Sequence, residues 1–176
     1  MAAVVIKGYE LRIYRGMEAA GYAGAFWRGL DDAAQRVMLW DVTENERAAM
    51  LPKCWEGADC VILAPAAKRI AGAAWASRIG PQSECAMIHF CFAREARKAA
   101  HEIARQALWL LFAETTLQSL IGLIPAKFGH ALNFVERLGF ERGARLKGAC
   151  PIHGKFRSRI CDGVIVTLNR KEYLGA

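Results

Sequence analysis

Apolar and polar positions alternate clearly enough along this chain to predict most of its elements. Leu11 to Tyr14 alternates as a short strand does, and Met17 to Arg28, rich in Ala and Gly, reads as a loose helix. Thr43 followed by Glu46 has the form of a capping box and predicts a helix running to about Trp55. Three strands follow. Asp59 to Ala64 is stopped by Pro65, Arg69 to Arg78 comes after the short connection Ala66 to Lys68, and Glu84 to Phe92 comes after the turn signal Gly80-Pro81. Such tight connections predict antiparallel neighbours. The third strand is apolar on both faces, which predicts a central place in a covered sheet.

The clearest helix comes next. Ala100, Ile103, Ala104, Ala107, Leu108 and Leu111 recur at helical spacing, with Lys98, Glu102 and Arg105 on the opposite stripe. Thr115 and Thr116 end it, and Ser119 to Ile124 is a buried strand closed by Pro125. A strand, a long helix and a further strand make a crossover unit, so that strand pair is predicted parallel. Ala131, Phe134, Val135 and Leu138 mark a shorter helix stopped by Gly139. Phe140 opens a strand, Gly148 to Lys155 reads as a loop, and Ile160 to Leu168 is the closing strand. The order predicts an α+β fold: a mixed, mostly antiparallel central sheet with helices on both faces, in three layers.

Composition narrows the class. The chain has 176 residues, 54% of them apolar, which suits one domain with a real core and excludes a disordered tail. Its longest uncharged apolar stretches, Ala107 to Ala113 and Leu120 to Ala126, fall short of the ~18 residues a membrane span needs. Met1 to Gly8 has no long apolar region with a cleavage site, so no secretion signal is expected and the cytoplasm is the expected compartment. Six scattered cysteines without a C-x-x-C agree with that. Cys150, His153 and Cys161 lack a fourth ligand, so no metal is expected. The net charge of +7 is spread along the chain rather than gathered in one run, which suits a phosphate-bearing ligand; nucleic acid is not the expected partner.

The element order together with Ala131 to Phe140, ending Glu136-Arg137-Leu138-Gly139-Phe140, resembles the GCN5-related N-acetyltransferase (GNAT) family, and most of all its ribosomal-protein N-acetyltransferase branch. Asp162, near the start of the last strand, fits that pattern too. The resemblance covers about residues 59–168 and implies an acyl-CoA-binding core there, with residues 1–58 supplying variable substrate-side helices in a single domain. It implies acetyl-CoA as co-substrate, an amine acceptor (a small molecule or a protein N-terminus), and a homodimer through the C-terminal strands. Cofactor backbone contacts are implied near Phe90, Cys91 and Phe92, and pyrophosphate contacts at the start of the long helix, over Arg94, Arg97, Lys98, Ala99, Ala100 and His101. Phe128 and Ala131 fall where the short helix meets the cofactor.

The sequence departs from the family at two places. Arg94 to Glu102 contains no glycine, where the family has a glycine-bearing loop, and Lys98 stands where a small residue, able to take a positive φ, is expected. Val135 stands where many members have a tyrosine that protonates the leaving thiolate. For the proton transfer, His89 and Glu84 on the central strand are the candidate bases. Cys91, two residues from His89, shares its face, but no acid is evident to orient a cysteine mechanism. Trp27 and Trp40 are candidate walls of the acceptor pocket. Two other readings stay open: a noncatalytic binding module on the same fold, and a nucleic-acid or ribosome-associated protein using Lys147, Lys155, Arg157 and Arg159.

Overall fold

The computed structural model describes residues 3–6, 8–43, 45–66, 69–153 and 158–175. Its strands are β1 (Ala3–Ile6), β2 (Tyr9–Tyr14), β3 (Cys60–Ala66), β4 (Arg69–Arg78), β5 (Cys85–Phe92), β6 (Ser119–Pro125), β7 (Glu141–His153) and β8 (Ser158–Asn169). They form one sheet in the order β1-β2-β3-β4-β5-β6-β8-β7. Every pair is antiparallel except β5 with β6, the pair joined by the long helix. The helices are α1 (Gly16–Gly29), α2 (Asp32–Val37), α3 (Arg47–Glu56), α4 (Ala100–Glu114), α5 (Gly129–Arg137) and α6 (Arg170–Leu174).

Side-chain alternation on the strands divides the core between two faces. Cys60, Ile62 and Ala64 of β3 point to one face, where Ile103, Ala104, Ala107, Leu108 and Leu111 of α4 and Leu132, Val135 and Leu138 of α5 cover them. Val61 and Leu63 point to the other, where Ala19, Ala23 and Phe26 of α1, Ala34 of α2 and Leu51 and Trp55 of α3 lie. This is the three-layer arrangement expected. Each buried Leu, Ile or Phe contributes about 1.5–3 kcal/mol relative to exposure, so both helical layers are held by their apolar stripes.

Two local readings are corrected. Thr43 and Glu46 do meet, but hydroxyl to carboxylate, and Glu46 occupies the N-cap of α3 without a side-chain cap, so the helix starts at Arg47. The expected loop from Gly148 is strand up to His153, with register shifts at Arg142/Arg145 and Leu146/Cys150. Asp162 fixes the second shift by accepting the Gly148 N–H at 3.0 Å and the Arg145 guanidinium at 2.9 Å, contacts that lower its pKa below the usual carboxylate value, the Gly148 bond most. Gly148 there takes φ +64, a left-handed conformation glycine adopts without a Cβ penalty. β1 and α2 were not anticipated. Residues 67 and 68 of the expected β3–β4 connection, and Lys155 and Arg157 of the basic group, lie outside the described residues.

Candidate active site

The two parallel strands part company early. β5 and β6 pair only as Cys85 with Ser119, Ala86 with Leu120 and Met87 with Ile121. Beyond that, β5 continues to Phe92 beside β4 alone, while β6 continues to Pro125 beside β8. The result is a fork that opens toward the C-terminal ends of both strands. Antiparallel pairing alternates the direction of the backbone groups. The Ile79 N–H bonds to the Cys85 carbonyl and the Ala93 N–H to the Ala71 carbonyl, so the residues in step with them, Met87, His89 and Cys91, turn their backbone toward β4. Ile88, Phe90 and Phe92 therefore turn theirs into the fork. Of the three aromatic-strand residues implied for cofactor contact, Phe90 and Phe92 have backbone groups on the open edge and Cys91 does not.

On the α4–α5 face, the fork is lined by aromatic rings. Phe134 of α5 meets Phe90 and Phe92 edge-on, with centroids 6.2 and 5.9 Å apart, and His101 at 6.3 Å. Gly72 of β4 makes room for this arrangement, because a Cβ there would stand 2.8 Å from Cδ1 of Phe92. Phe128, after the turn that follows β6, is the N-cap residue of α5, and its carbonyl accepts the N–H groups of Ala131 and Leu132. Both Phe128 and Ala131 are half-buried on the β6 side of the fork.

The segment between β5 and α4 folds without a glycine. It runs as a 3-10 turn, Arg94–Ala96, followed by further right-handed turns, with N–H to C=O bonds from Ala96 to Ala93, Arg97 to Arg94, Ala99 to Ala96 and Ala100 to Arg97. No residue of this loop needs a positive φ; among the described residues the one non-glycine that has it is Leu39. Ala96, Ala99 and Ala100 are buried, so the small side chains lie inward and Arg94 and Lys98 face outward. Arg97 is already engaged, with both oxygens of Asp31 at 2.7 and 2.8 Å. Asp31 also caps α2 by accepting the Ala34 N–H at 2.8 Å, and that bond first, then Arg97, lowers its pKa. His101 donates from Nε2 to the Arg137 carbonyl at 2.9 Å, tying the start of α4 to the end of α5. Of the four charged or titratable loop residues singled out from the sequence, Arg94 and Lys98 keep outward-facing side chains for a polyanion.

The two candidate bases separate. Glu84 is exposed and precedes the closed part of the ladder; its carbonyl accepts from Gln118 and Ser119. At ~3.3 Å per residue it lies about 13 Å from Ile88, where the fork opens, so the structure does not bring it to the site. His89 lies within the fork region, with its side chain on the α1–α3 face. Its ring stacks on Trp75 at 4.9 Å and 12°, and Trp75 continues through Trp55 to Phe26. Burial pushes the His89 pKa below its ordinary value, with Asp41 pulling the other way. The imidazole is therefore neutral at neutral pH and able to accept a proton. Cys91, on the same face, is pushed up to about 12, chiefly by burial. Asp41, Gly72 and Phe134 were not singled out for these positions. The Phe134 spacing on its helix was visible in sequence, but no local signal links Asp41 or Gly72 to β5.

Among the described residues no helix is long and apolar enough to cross a membrane, and no group of His, Cys, Asp and Glu is placed to hold a metal. No family model matches the sequence, and no curated protein matches it. Solved structures match its fold. The ribosomal-protein-S5-alanine acetyltransferase of Vibrio fischeri has a TM-score of 0.71 at 12% identity, covering 98% of this chain and 99% of that one. A spermidine N-acetyltransferase chimera from Vibrio cholerae and hSSAT also scores 0.71, at 17% identity, covering 94% of this chain and 99% of that one. A GNAT-family acetyltransferase from Bacillus anthracis scores 0.67 at 14% identity, covering 97% and 99%. The chain has the fold of the GNAT acetyltransferases.

Proposed function

We propose that this chain is an acyl-CoA-dependent N-acetyltransferase that moves an acetyl group from acetyl-CoA to a primary amine by direct attack, acting in the cytoplasm. The observation that carries the reading is the fork between β5 and β6. An extended pantetheine arm carries amide groups, and the backbone groups of Ile88, Phe90 and Phe92 present a matching row of donors and acceptors. The pyrophosphate would lie at the Arg94–Ala100 turns, where Arg94 and Lys98 supply positive charge and the start of α4 contributes its dipole.

In this reading His89 is the base. It takes a proton from the acceptor amine, directly or through water, and the freed lone pair attacks the thioester carbonyl. The C–N bond forms, the attacking nitrogen gives its remaining extra proton to solvent, the C–S bond breaks, and the thiolate leaves. Val135 is buried and has no proton to give, so the leaving thiolate takes its proton from solvent. β7, an edge strand whose residues from Glu141 to Gly148 are exposed, offers a face for a homodimer.

Calorimetric titration with acetyl-CoA, with free CoA as control, tests the proposal, followed by turnover on a panel of primary amines. Micromolar binding with amine-dependent release of CoA is the expected result. No heat and no thermal shift at millimolar ligand would overturn it. The glycine-free loop and Val135 favour one second reading, a module that binds CoA without turning it over; binding with no CoA release on any amine would select it.

A further inference from the structure

The last two strands set two cysteines opposite each other. Cys150 of β7 pairs with Cys161 of β8, followed by Pro151 with Ile160, Ile152 with Arg159 and His153 with Ser158. Pro151 has no N–H. The His153 N–H goes to the Trp40 carbonyl at 3.1 Å, and the Asp162 carbonyl accepts the Ala126 N–H, beyond β6, at 2.8 Å. None of these groups bonds across the β7–β8 seam, so the alternation makes Cys150 and Cys161 a hydrogen-bonded pair, with Cα atoms about 5.5 Å apart. A disulfide spans Cα separations of about 4.4–6.8 Å, so the two strands already stand at bonding distance.

The side chains share a face as well. The Cys150 sulfur reaches over β8, where a Cβ on Gly163 would stand 2.8 Å from it. Gly163 and Cys161 are two residues apart on β8 and point the same way, so both thiols lie on one side of the hairpin. Anchors on either side fix this register. Asp162 holds the Gly148 N–H and the Arg145 guanidinium at one end, and the buried Arg47 donates to the His153 carbonyl at 2.5 Å at the other. A slip of one residue would send the thiols to opposite faces.

The two thiols differ in access. Cys150 is buried, and its pKa is pushed up to about 11, first by burial and next by Cys161. Cys161 is half-buried. No other cysteine has a cysteine opposite it: in the ladder Cys60 faces Ala76, Cys91 faces Ala73 and Cys85 faces Ser119, while Cys54 lies on α3.

We propose that Cys150 and Cys161 form a redox modification site, closed to an intrachain disulfide by a hydroperoxide, with Cys161 reacting first and Cys150 resolving. The Cys161 thiolate attacks the outer oxygen of the hydroperoxide; the O–O bond breaks, an alcohol or water leaves, and Cys161 becomes a sulfenic acid. The Cys150 thiol then attacks that sulfur. The S–S bond forms, the S–O bond breaks, and the hydroxyl leaves as water with the Cys150 proton. Two thiols are oxidised by two electrons and one peroxide is reduced. A low-molecular-weight thiol reverses the bond by exchange, being oxidised to its own disulfide. The site does not depend on the acetyltransferase reading.

The test treats the folded, reduced full-length chain with graded hydrogen peroxide, alkylates the remaining thiols, and reads unreduced tryptic peptides by mass spectrometry. Trypsin places the two cysteines on separate peptides, Gly148 to Lys155 and Ile160 to Arg170. These are expected to appear joined, lighter than their sum by two hydrogen atoms, and to separate again with dithiothreitol. Cys150→Ser should stop at a Cys161 sulfenic acid that dimedone traps, and Cys161→Ser should leave Cys150 a free thiol. Three results would overturn the inference: no link at any dose that leaves the wild-type chain folded, a link from Cys161 to any other cysteine, or wild-type Cys161 oxidised beyond sulfenic acid while Cys150 stays free.

Discussion

The His89 ring lies flat against the Trp75 indole, in register across β4 and β5, with 4.9 Å between centroids and 12° between planes. The stack withholds water from one side of the imidazole and fixes its plane, and burial is the main cause of its lowered pKa. A base must be unprotonated to act, so activity should rise with pH through an apparent pKa below the ordinary 6.5 and then level off. A pH profile of kcat/KM checks this, and an acid limb above 6.5 would contradict it. His89→Gln should lower kcat by about 10²–10⁴-fold while leaving the Kd for acetyl-CoA unchanged. The same shift bears on folding. With the folded-state pKa below the unfolded one, stability held above pH 6.5 is lost as the pH falls through the range between them.

Cofactor charge should depend on two loop cations and not on the third. Arg94 and Lys98 face outward, whereas Arg97 is held by Asp31. Replacing Arg94 and Lys98 together by Ala should weaken CoA binding by about tenfold, from about 0.5–1 kcal/mol for each partly exposed charge contact. Dephospho-CoA and CoA titrations of Arg97→Ala should differ little from wild type in affinity, though that variant loses the tie between the loop and α2. A larger effect from Arg97→Ala than from the double variant would mean that Asp31 releases Arg97 to the ligand.

Much of the fold was legible because it rests on periodicity. β5, α4, β6 and α5 have long or strongly periodic apolar patterns, and the crossover between β5 and β6 follows from a long helix between two strands. α2 escaped notice because six residues with one buried position, Ala34, give no period to read. The segment after Gly148 looked like a loop because its Gly and Pro break a strand pattern locally, and only the distant Asp162 turns that break into a register shift. The site was legible in part. Glu84 and His89 both fall within the strand expected from sequence, but the ladder closes over Met87 and leaves them on opposite sides of the point where the fork opens. Backbone edges and the reach of Asp41 are tertiary facts, invisible to any local pattern. Lys98 stands where the resemblance implies a small residue able to take a positive φ, and successive right-handed turns place it without one.

Gly72 should be intolerant of a side chain for a reason connected to the fork. An Ala Cβ there would press on Cδ1 of Phe92 at 2.8 Å and on Cε1 at 3.2 Å. Overpacking of this kind costs about 1–3 kcal/mol, and each kcal/mol lowers Tm by about 2–4 °C in a chain of this size. Gly72→Ala should therefore melt several degrees lower, and the displaced Phe92 should also weaken acetyl-CoA binding. Paired with Phe92→Leu, whose shorter side chain yields the space, the melting loss should shrink. If the double variant melts at the sum of the two single losses, the contact is not the cause.

Cysteine chemistry should prove dispensable. Cys91 shares a face with His89, which is the spacing a nucleophile and its base would have, but it is 7% exposed and burial pushes its pKa up to about 12. At pH 8 only about one part in 10⁴ is then thiolate, the form that attacks. Cys60 is pushed up to about 12 as well, again chiefly by burial. Cys85 and Cys161 are only half-buried. Brief iodoacetamide treatment of the folded chain, read by peptide mass spectrometry, should modify Cys85 and Cys161 before Cys60 and Cys91. Cys91→Ala should keep kcat within about threefold of wild type, as expected if direct attack needs no acyl-enzyme. Loss of turnover in Cys91→Ala with acetyl-CoA binding and Tm intact, or an acetyl group found on Cys91 after single-turnover quench, would replace direct attack with a two-step mechanism.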